Sequence, residues 1–428
     1  MLFIISSFVF NPQDLTTGDN HLIAHASYDP LTVIANISLG DKHPHCIAVN
    51  HATNRVYIGY GIGFWNGGII VLNGETDQII AEIPSTYNSS VYAIAVNPRT
   101  NYIYAATHKE LIAIDGATNL QVANCTTRIR VSEPYALAVN PVTNLVYVGY
   151  YTDIQFTYDN VYVYDGETLG LVATVHLGAA KEYEDVGVAV NPNTNTVYAT
   201  WSGNHTLYMI DGNTHLITKK WQFSSTRVWV NQYTNNVYCR DTTLNGETLE
   251  EVTPGLPPES DDIILNEITA IDSINNLLYT MDIWMNMLHR IHGSTHDIID
   301  SVEIPSYPHT MEVVVNPYTS KLYIIDDEED QVCVVSTGVP SQEPPVYPTQ
   351  EPTDEEPTSE EPTTEEPTTE APTDEEPTAN GVSDSNFEIP FGVLIAVPII
   401  AISCIVAFWI IRKRKQNKPK NSETRQKE

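Results

Sequence analysis

Cysteine and basic residues are both scarce in this chain of 428 residues, and each scarcity removes a class of explanation. Five cysteines, Cys46, Cys125, Cys239, Cys333 and Cys404, are too few and too scattered for a disulfide framework, and none sits at a paired metal-ligand spacing. They read as small apolar residues. Lysine and arginine number 21 against 54 acids, a formal charge of −33. An acidic body repels phosphate backbones, so nucleic acid is not an expected partner; divalent cations or basic surfaces fit better. Residues 29–338 also lack a Gly-x-Ser-x-Gly nucleophile elbow and a phosphate-binding glycine loop.

What the chain has instead is a repeat. The phrase Asn140-Pro141-Val142-Thr143-Asn144-Leu145-Val146-Tyr147 returns from Asn50, Asn97 and Asn191, and in weaker form from Asn231, Asp272 and Asn316. Seven copies fall 40 to 51 residues apart, the period of a four-stranded propeller blade. Around each copy the order is constant: a short apolar run, the Asn-type turn, a Val-Tyr run, a loop, another strand such as Val161–Tyr164, an Asp-Gly or Asn-Gly turn, and a last strand such as Leu171–His176. Runs rich in Val, Ile and Tyr that end at turn signals are strands. Proline presets φ in the Asn-Pro turn, and asparagine bonds its own backbone and tolerates left-handed φ. The Asp-Gly and Asn-Gly pairs at Asn73, Asp115, Asp165, Asp211 and Asn245 read as tight hairpin turns.

The ends of the array indicate how it closes. Leu31–Leu39 matches the last strand of a unit but has no unit of its own, while the seventh unit stops one strand short after Val332–Val335. The expected fold is all-β: a seven-bladed propeller of four-stranded blades over residues 29–338, closed three-plus-one by the N-terminal strand.

The phrase Asn-Pro-x-Thr-Asn-x-Val-Tyr-Val, followed by Val-x-Val-x-Asp-Gly-x-Thr, resembles the YVTN-family β-propeller repeat, over roughly residues 29–338. The final Asn of that signature is absent here: the stretches read Tyr57-Ile-Gly-Tyr60, Tyr147-Val-Gly-Tyr150 and Tyr198-Ala-Thr-Trp201. The units lack the Gly-His and Trp-Asp pairs of WD40 repeats and a repeated kelch Gly-Gly. The resemblance implies an archaeal surface-layer or cell-surface protein.

The flanks point to a membrane. Residues 1–28 hold a short apolar run that resembles a secretory signal without its preceding positive charges. Residues 339–388 form a Pro/Thr/Glu-rich stalk in which Glu-Glu-Pro-Thr recurs between 340 and 380, with 13 acids and no base there. Locked φ and like-charge repulsion predict an extended, disordered segment reaching roughly 120 Å at most. Residues 389–411 are apolar and reach about 34 Å as one transmembrane helix. Arg412–Lys415 open a basic tail, 412–428, which the positive-inside rule places in the cytoplasm. Propeller and stalk then face outward, and Asn36, Asn88, Asn124 and Asn204 stand in N-glycosylation triplets.

The propeller's ligand site is expected at the channel mouth and on the loops beside it. Stepping to the same place in each unit gives a ring of His45, Tyr92, Tyr135, Val186, Thr226, Glu267 and Met311. Loops on that face carry Trp65, Tyr151 and Tyr158, and aromatic groups beside carboxylates suit carbohydrate or protein surfaces. Only His45 and Glu267 of the ring are good metal ligands, although His43, His45 and His309 would approach one another between blades seven and one. The run Asp326–Asp330 offers at most weak Ca²⁺ binding, being unlike an EF-hand loop. No other cofactor is expected. The sequence therefore indicates a membrane-anchored surface module for surface-layer structure, adhesion or recognition. The alternative is an extracytoplasmic enzyme, lactonase- or lyase-like, working at the channel mouth. A tail of 17 residues is too short to fold into a signalling domain.

Overall fold

The structure is a computed structural model. It describes residues 28–339 except 64, 86–87, 108, 127–133, 151–158, 180–184, 223–226, 241, 253–267, 283–284 and 306–311. The signal-like segment, the stalk, the apolar run 389–411 and the basic tail lie outside the described residues. No helix among the described residues is long and apolar enough to cross a membrane.

Seven antiparallel sheets follow one another along the chain, and each is a blade. Blade 1 shows the pattern: Pro44–Asn50 innermost, then Arg55–Ile62, Trp65–Asn73 and, outermost, Gln78–Pro84. The second strand of each blade is apolar on both faces, because a sheet lies against each side of it. Tyr57, Tyr104, Tyr147, Tyr198, Tyr238, Tyr279 and Tyr323 stand there, all fully buried. Several tie their blade to the next: the Tyr104 hydroxyl donates to the Gly166 carbonyl at 2.9 Å and that of Tyr198 to Gly246 at 2.6 Å. Outermost strands instead alternate between exposed and half-buried residues, since water covers one face.

The closure is three-plus-one, as the end strands require. Thr32–Ser38 pairs antiparallel with Gln331–Ser336 and becomes the outermost strand of blade 7. A buried arginine secures that seam. Arg290, in the third strand of blade 6, meets Asp300 through Nε at 2.9 Å and Nη2 at 2.7 Å. It also donates to the carbonyls of Thr337 and Asp29, and Asp300 accepts the Leu31 backbone N–H at 2.9 Å. One ion pair thus grips both chain ends that meet in blade 7.

In blade 5 the described residues form three strands, Trp229–Asn231, Asn236–Cys239 and Thr242–Asn245, and a single bridge from Leu244 to Glu251; residues 253–267, which follow, lie outside the described residues.

The turns also differ from the hairpin expectation. Gly116 and its counterparts do not have positive φ; the left-handed residue comes three places later, as at Asn119 (φ 58°). Glycine is needed for close approach. Gly116 N–H donates to the Asn101 carbonyl at 2.8 Å, and a Cβ there would lie 2.5 Å from Asn101 Oδ1. The left-handed asparagines of the Asn-type turns, such as Asn101 (φ 57°) and Asn144 (φ 54°), occupy that conformation as their side chains allow.

Those asparagines form an inter-blade girdle. The first Asn of each phrase caps its own turn through Oδ1, and its Nδ2 donates to the left-handed Asn of the next blade. Asn50 reaches Asn101 at 2.7 Å, Asn97 reaches Asn144 at 2.8 Å, and Asn140 reaches Asn195 at 2.7 Å. The series continues from Asn191 to Asn235 and from Asn231 to Asn276, and Asn316 of blade 7 closes on Asn54 of blade 1. Between blades 6 and 7 the pair is Asp272 and Ser320, and neither carries an amide.

Candidate functional site

The inner strands enclose a channel of 760 Å³. Its wall is mostly aliphatic, with Ala48, Val49, Ala95, Val139 and Val314 among the lining residues, and includes the Trp229 indole. The Asn girdle bounds the ends of the inner strands, and its amides are spent on each other and on the turns. At the opposite mouth, where the inner strands begin, the chemistry changes to His45, Tyr92, Asp185, Arg227 and Glu312.

How each residue reaches the mouth depends on strand register. In blades 1, 2 and 3 the ladder slips by one residue between Pro44 and Cys46, Val91 and Ala93, and Pro134 and Ala136. The extra residues are His45, Tyr92 and Tyr135; a bulge re-aims a side chain in this way. The side chain of Tyr135 is outside the described residues. Blade 4 has no slip: Val186 pairs with Trp201 and is fully buried in the core, so it does not line the channel. Asp185 does instead. In blades 5 and 7 the described lining begins with Arg227 and Glu312, one residue after the expected Thr226 and Met311. Thr226, Met311, Glu267, Tyr151 and Tyr158 lie outside the described residues. A charged residue adjacent to the expected ring position was the available signal in blades 4, 5 and 7.

The rim is electrostatically ordered. Arg227 Nη2 meets Glu312 Oε1 at 2.9 Å, a pair that joins blade 5 to blade 7 across the mouth. His45 donates from Nε2 to the Gly61 carbonyl at 2.8 Å, which fixes the tautomer and leaves Nδ1 as an acceptor. Burial holds that imidazole below its usual range, against the pull of the Gly61 carbonyl and Asp327. Its ring stacks on Tyr92 at 5.7 Å and 19°, and the Tyr92 hydroxyl donates to the Gly63 carbonyl at 2.7 Å. Asp185 is anchored by its backbone, its N–H to Ser202 Oγ at 2.8 Å and its carbonyl to Ser202 N–H at 3.1 Å. Burial pushes its carboxyl up to about 6, with Arg227 pulling the other way.

Of the expected histidine cluster, His43 faces Asp330 at 3.4 Å, and His309 lies outside the described residues. No group of three metal-ligating side chains converges among the described residues. In the acidic run, Asp326 Oδ1 caps the Glu328 and Glu329 N–H groups and Oδ2 accepts from Gln331, so its carboxylate serves the turn.

Trp65 is 59% exposed at the tip of the blade 1 hairpin, opposite Ile62, with Lys109 Nζ 4.7 Å from its ring centre. Of the sequons, Asn36 and Asn124 are exposed on outermost strands, and Asn124 Nδ2 donates to Glu110 at 3.1 Å. Asn88 is exposed and bonds Asn66 at 3.0 Å, whereas Asn204 ends a one-turn 3-10 helix and donates to the Tyr208 hydroxyl at 2.9 Å. Cys46, Cys125, Cys239 and Cys333 are free thiols.

No family model matches the sequence, and no curated relative does. Solved structures do. One is the β-propeller domain of Myceliophteria thermophila Cps50 (Swd1), at a TM-score of 0.56 and 11% identity, covering 71% of this chain and 99% of that chain. At that identity the likeness concerns the fold alone.

Proposed function

We propose that this chain is a single-pass, outward-facing surface protein that displays its propeller on an acidic stalk and binds a ligand at the channel mouth. The observation that carries the binding role is the open aliphatic channel whose rim groups are already positioned by hydrogen bonds and an ion pair. Preorganised polar groups over an apolar cavity of this size favour recognition of a small ligand or an inserted side chain. The repeat phrase supports a YVTN-type propeller in an archaeal surface setting, acting in a surface layer, in adhesion or in recognition of a protein or carbohydrate. The apolar run 389–411 followed by Arg412–Lys415 supports the membrane anchor and orientation.

A membrane-impermeant amine label applied to intact cells tests the topology. Lys219 and Lys220, exposed on the outermost strand of blade 4, should be modified while Lys413, Lys415 and Lys427 are spared until the cells are permeabilised. Equal labelling of both groups in intact cells, or of neither, would reject the outward-facing reading.

A further inference from the structure

We propose that the channel mouth binds an ammonium ion carried on an aliphatic chain, a free amine or a lysine side chain, with Asp185 as its counter-ion. The inference rests on the channel being the binding seat and names the ligand that seat takes.

Charge balance at the rim gives the sign of the ligand. Arg227 is the one cationic side chain among the described residues lining the channel, and Glu312 neutralises it at 2.9 Å. The Asp185 carboxylate makes no hydrogen bond or ion pair of its own among the described residues, although its backbone is held on both sides by Ser202. An anionic head would meet Asp185 and Glu312 with the only guanidinium already engaged. A cationic head at Asp185 would meet a carboxylate that forms no ion pair of its own among the described residues, and elsewhere on the same rim stand the acceptor Nδ1 of His45 and the Tyr92 ring on which His45 is stacked. Aromatic faces attract cations and carboxylates accept N–H bonds from them, so all three groups favour one sign. The propeller field agrees, because residues 1–339 hold 37 acids against 13 bases and steer cations inward.

The wall gives the body. Below the rim the lining is chiefly aliphatic, with Trp229 carrying the one unpaired N–H of the wall among the described residues, and the asparagine amides at the far end are already paired, so a mainly apolar chain suits it. A chain of methylenes gains about 0.8 kcal/mol for each one buried. Length is limited by a channel of 760 Å³, and an amine with a short alkyl chain or a lysine side chain fits within it.

Titration calorimetry on the full-length chain in lipid nanodiscs, corrected with empty nanodiscs, separates the terms. The probes are n-hexylammonium, n-hexanol, hexanoate and N-acetyl-lysine amide at pH 7.5. Hexylammonium is expected to saturate one site at least tenfold more tightly than hexanol, with hexanoate weakest. Asp185→Asn should remove that tenfold advantage and leave hexanol unchanged. Glu312→Gln, which frees Arg227, should weaken hexylammonium and strengthen hexanoate, and it keeps the test open if the Asp185 variant misfolds. Binding of the lysine amide alongside hexylammonium points to a side-chain source, and hexylammonium alone to a free amine; either upholds the proposal. Hexanol or hexanoate binding as tightly as hexylammonium overturns the ammonium assignment while the channel remains a seat. No saturable uptake of any probe overturns the channel reading as well.

Discussion

Asn316 donates its side-chain amide to Asn54 at 3.0 Å, joining residues 262 positions apart and closing the girdle from blade 7 to blade 1. The same side chain caps its own turn by accepting the Tyr318 N–H at 3.1 Å. The Asn316 side chain is fully buried and both bonds are partly buried, so removing it leaves the Tyr318 N–H and the Asn54 amide oxygen without that partner.

Asn316→Ala is therefore expected to destabilise the propeller by about 1–3 kcal/mol, the cost of unsatisfied buried polar groups. The denaturant midpoint measures it. A change within error would mean that strand pairing of Thr32–Ser38 with Gln331–Ser336 holds the ring closed unaided.

The exception between blades 6 and 7 gives a second prediction. There Ser320 replaces the left-handed Asn and Thr337 occupies the glycine position, with Thr337 N–H donating to the Ser320 carbonyl at 2.8 Å. The shorter serine makes room for a Cβ. Gly116→Ala, facing Asn101, should then cost roughly 1–3 kcal/mol from overpacking, and Asn101→Ser should recover part of it. Additive losses in the double-mutant cycle would refute the steric coupling.

Arg290→Met leaves Asp300 with only the Leu31 N–H, and the carbonyls of Asp29 and Thr337 without the guanidinium, in a site where the arginine is fully buried. Breaking a buried pair from one side costs about 3–5 kcal/mol. Because the lost contacts hold the two chain ends, hydrogen exchange should rise first in Thr32–Ser38; unchanged protection there would separate Arg290 from closure.

Asp185 predicts a pH dependence. Its folded carboxyl titrates near 6 against an ordinary 3.8, so between those values the folded protein binds more protons than the unfolded chain. Stability from this group is present at low pH and declines as pH rises through that window, levelling above about 6. His45, held below its ordinary 6.5 by burial, acts in the opposite direction, and Arg227 and Glu312 also face the site. The difference between native and Asp185→Asn chains isolates the carboxyl, and that difference should vary only across the stated window. A flat difference would contradict the burial of Asp185.

Glycan occupancy should follow amide availability. Asn36 is exposed on an outermost strand, whereas the Asn204 amide is bonded to Tyr208 in a partly buried turn. Peptide mass spectrometry of the secreted or surface-expressed chain is expected to find Asn36 occupied and Asn204 bare; the reverse order would reject accessibility as the determinant.

Much of the fold was legible because it repeats. The spacing of the Asn-type turns indicates seven blades, and the unmatched strand at Leu31–Leu39 indicates the closure. The mouth residues were legible in blades 1 and 2, whose ladders slip at the expected ring position. His45 and Tyr92 were found, while Asp185, Arg227 and Glu312 stood one residue from the expected ring.

The sequence by itself determined the local grammar of this protein: which residues turn, which extend, and where the array begins and ends. Those follow from φ preferences and apolar periodicity, which act over a few residues. Only the tertiary structure decided which side chains share the channel mouth, because a one-residue bulge exchanges the two faces of a strand. It also decided the pairing of Arg227 with Glu312 and of Asn316 with Asn54. Such contacts join blades far apart in the chain, and no local pattern records which residues the closed ring will bring within hydrogen-bonding distance.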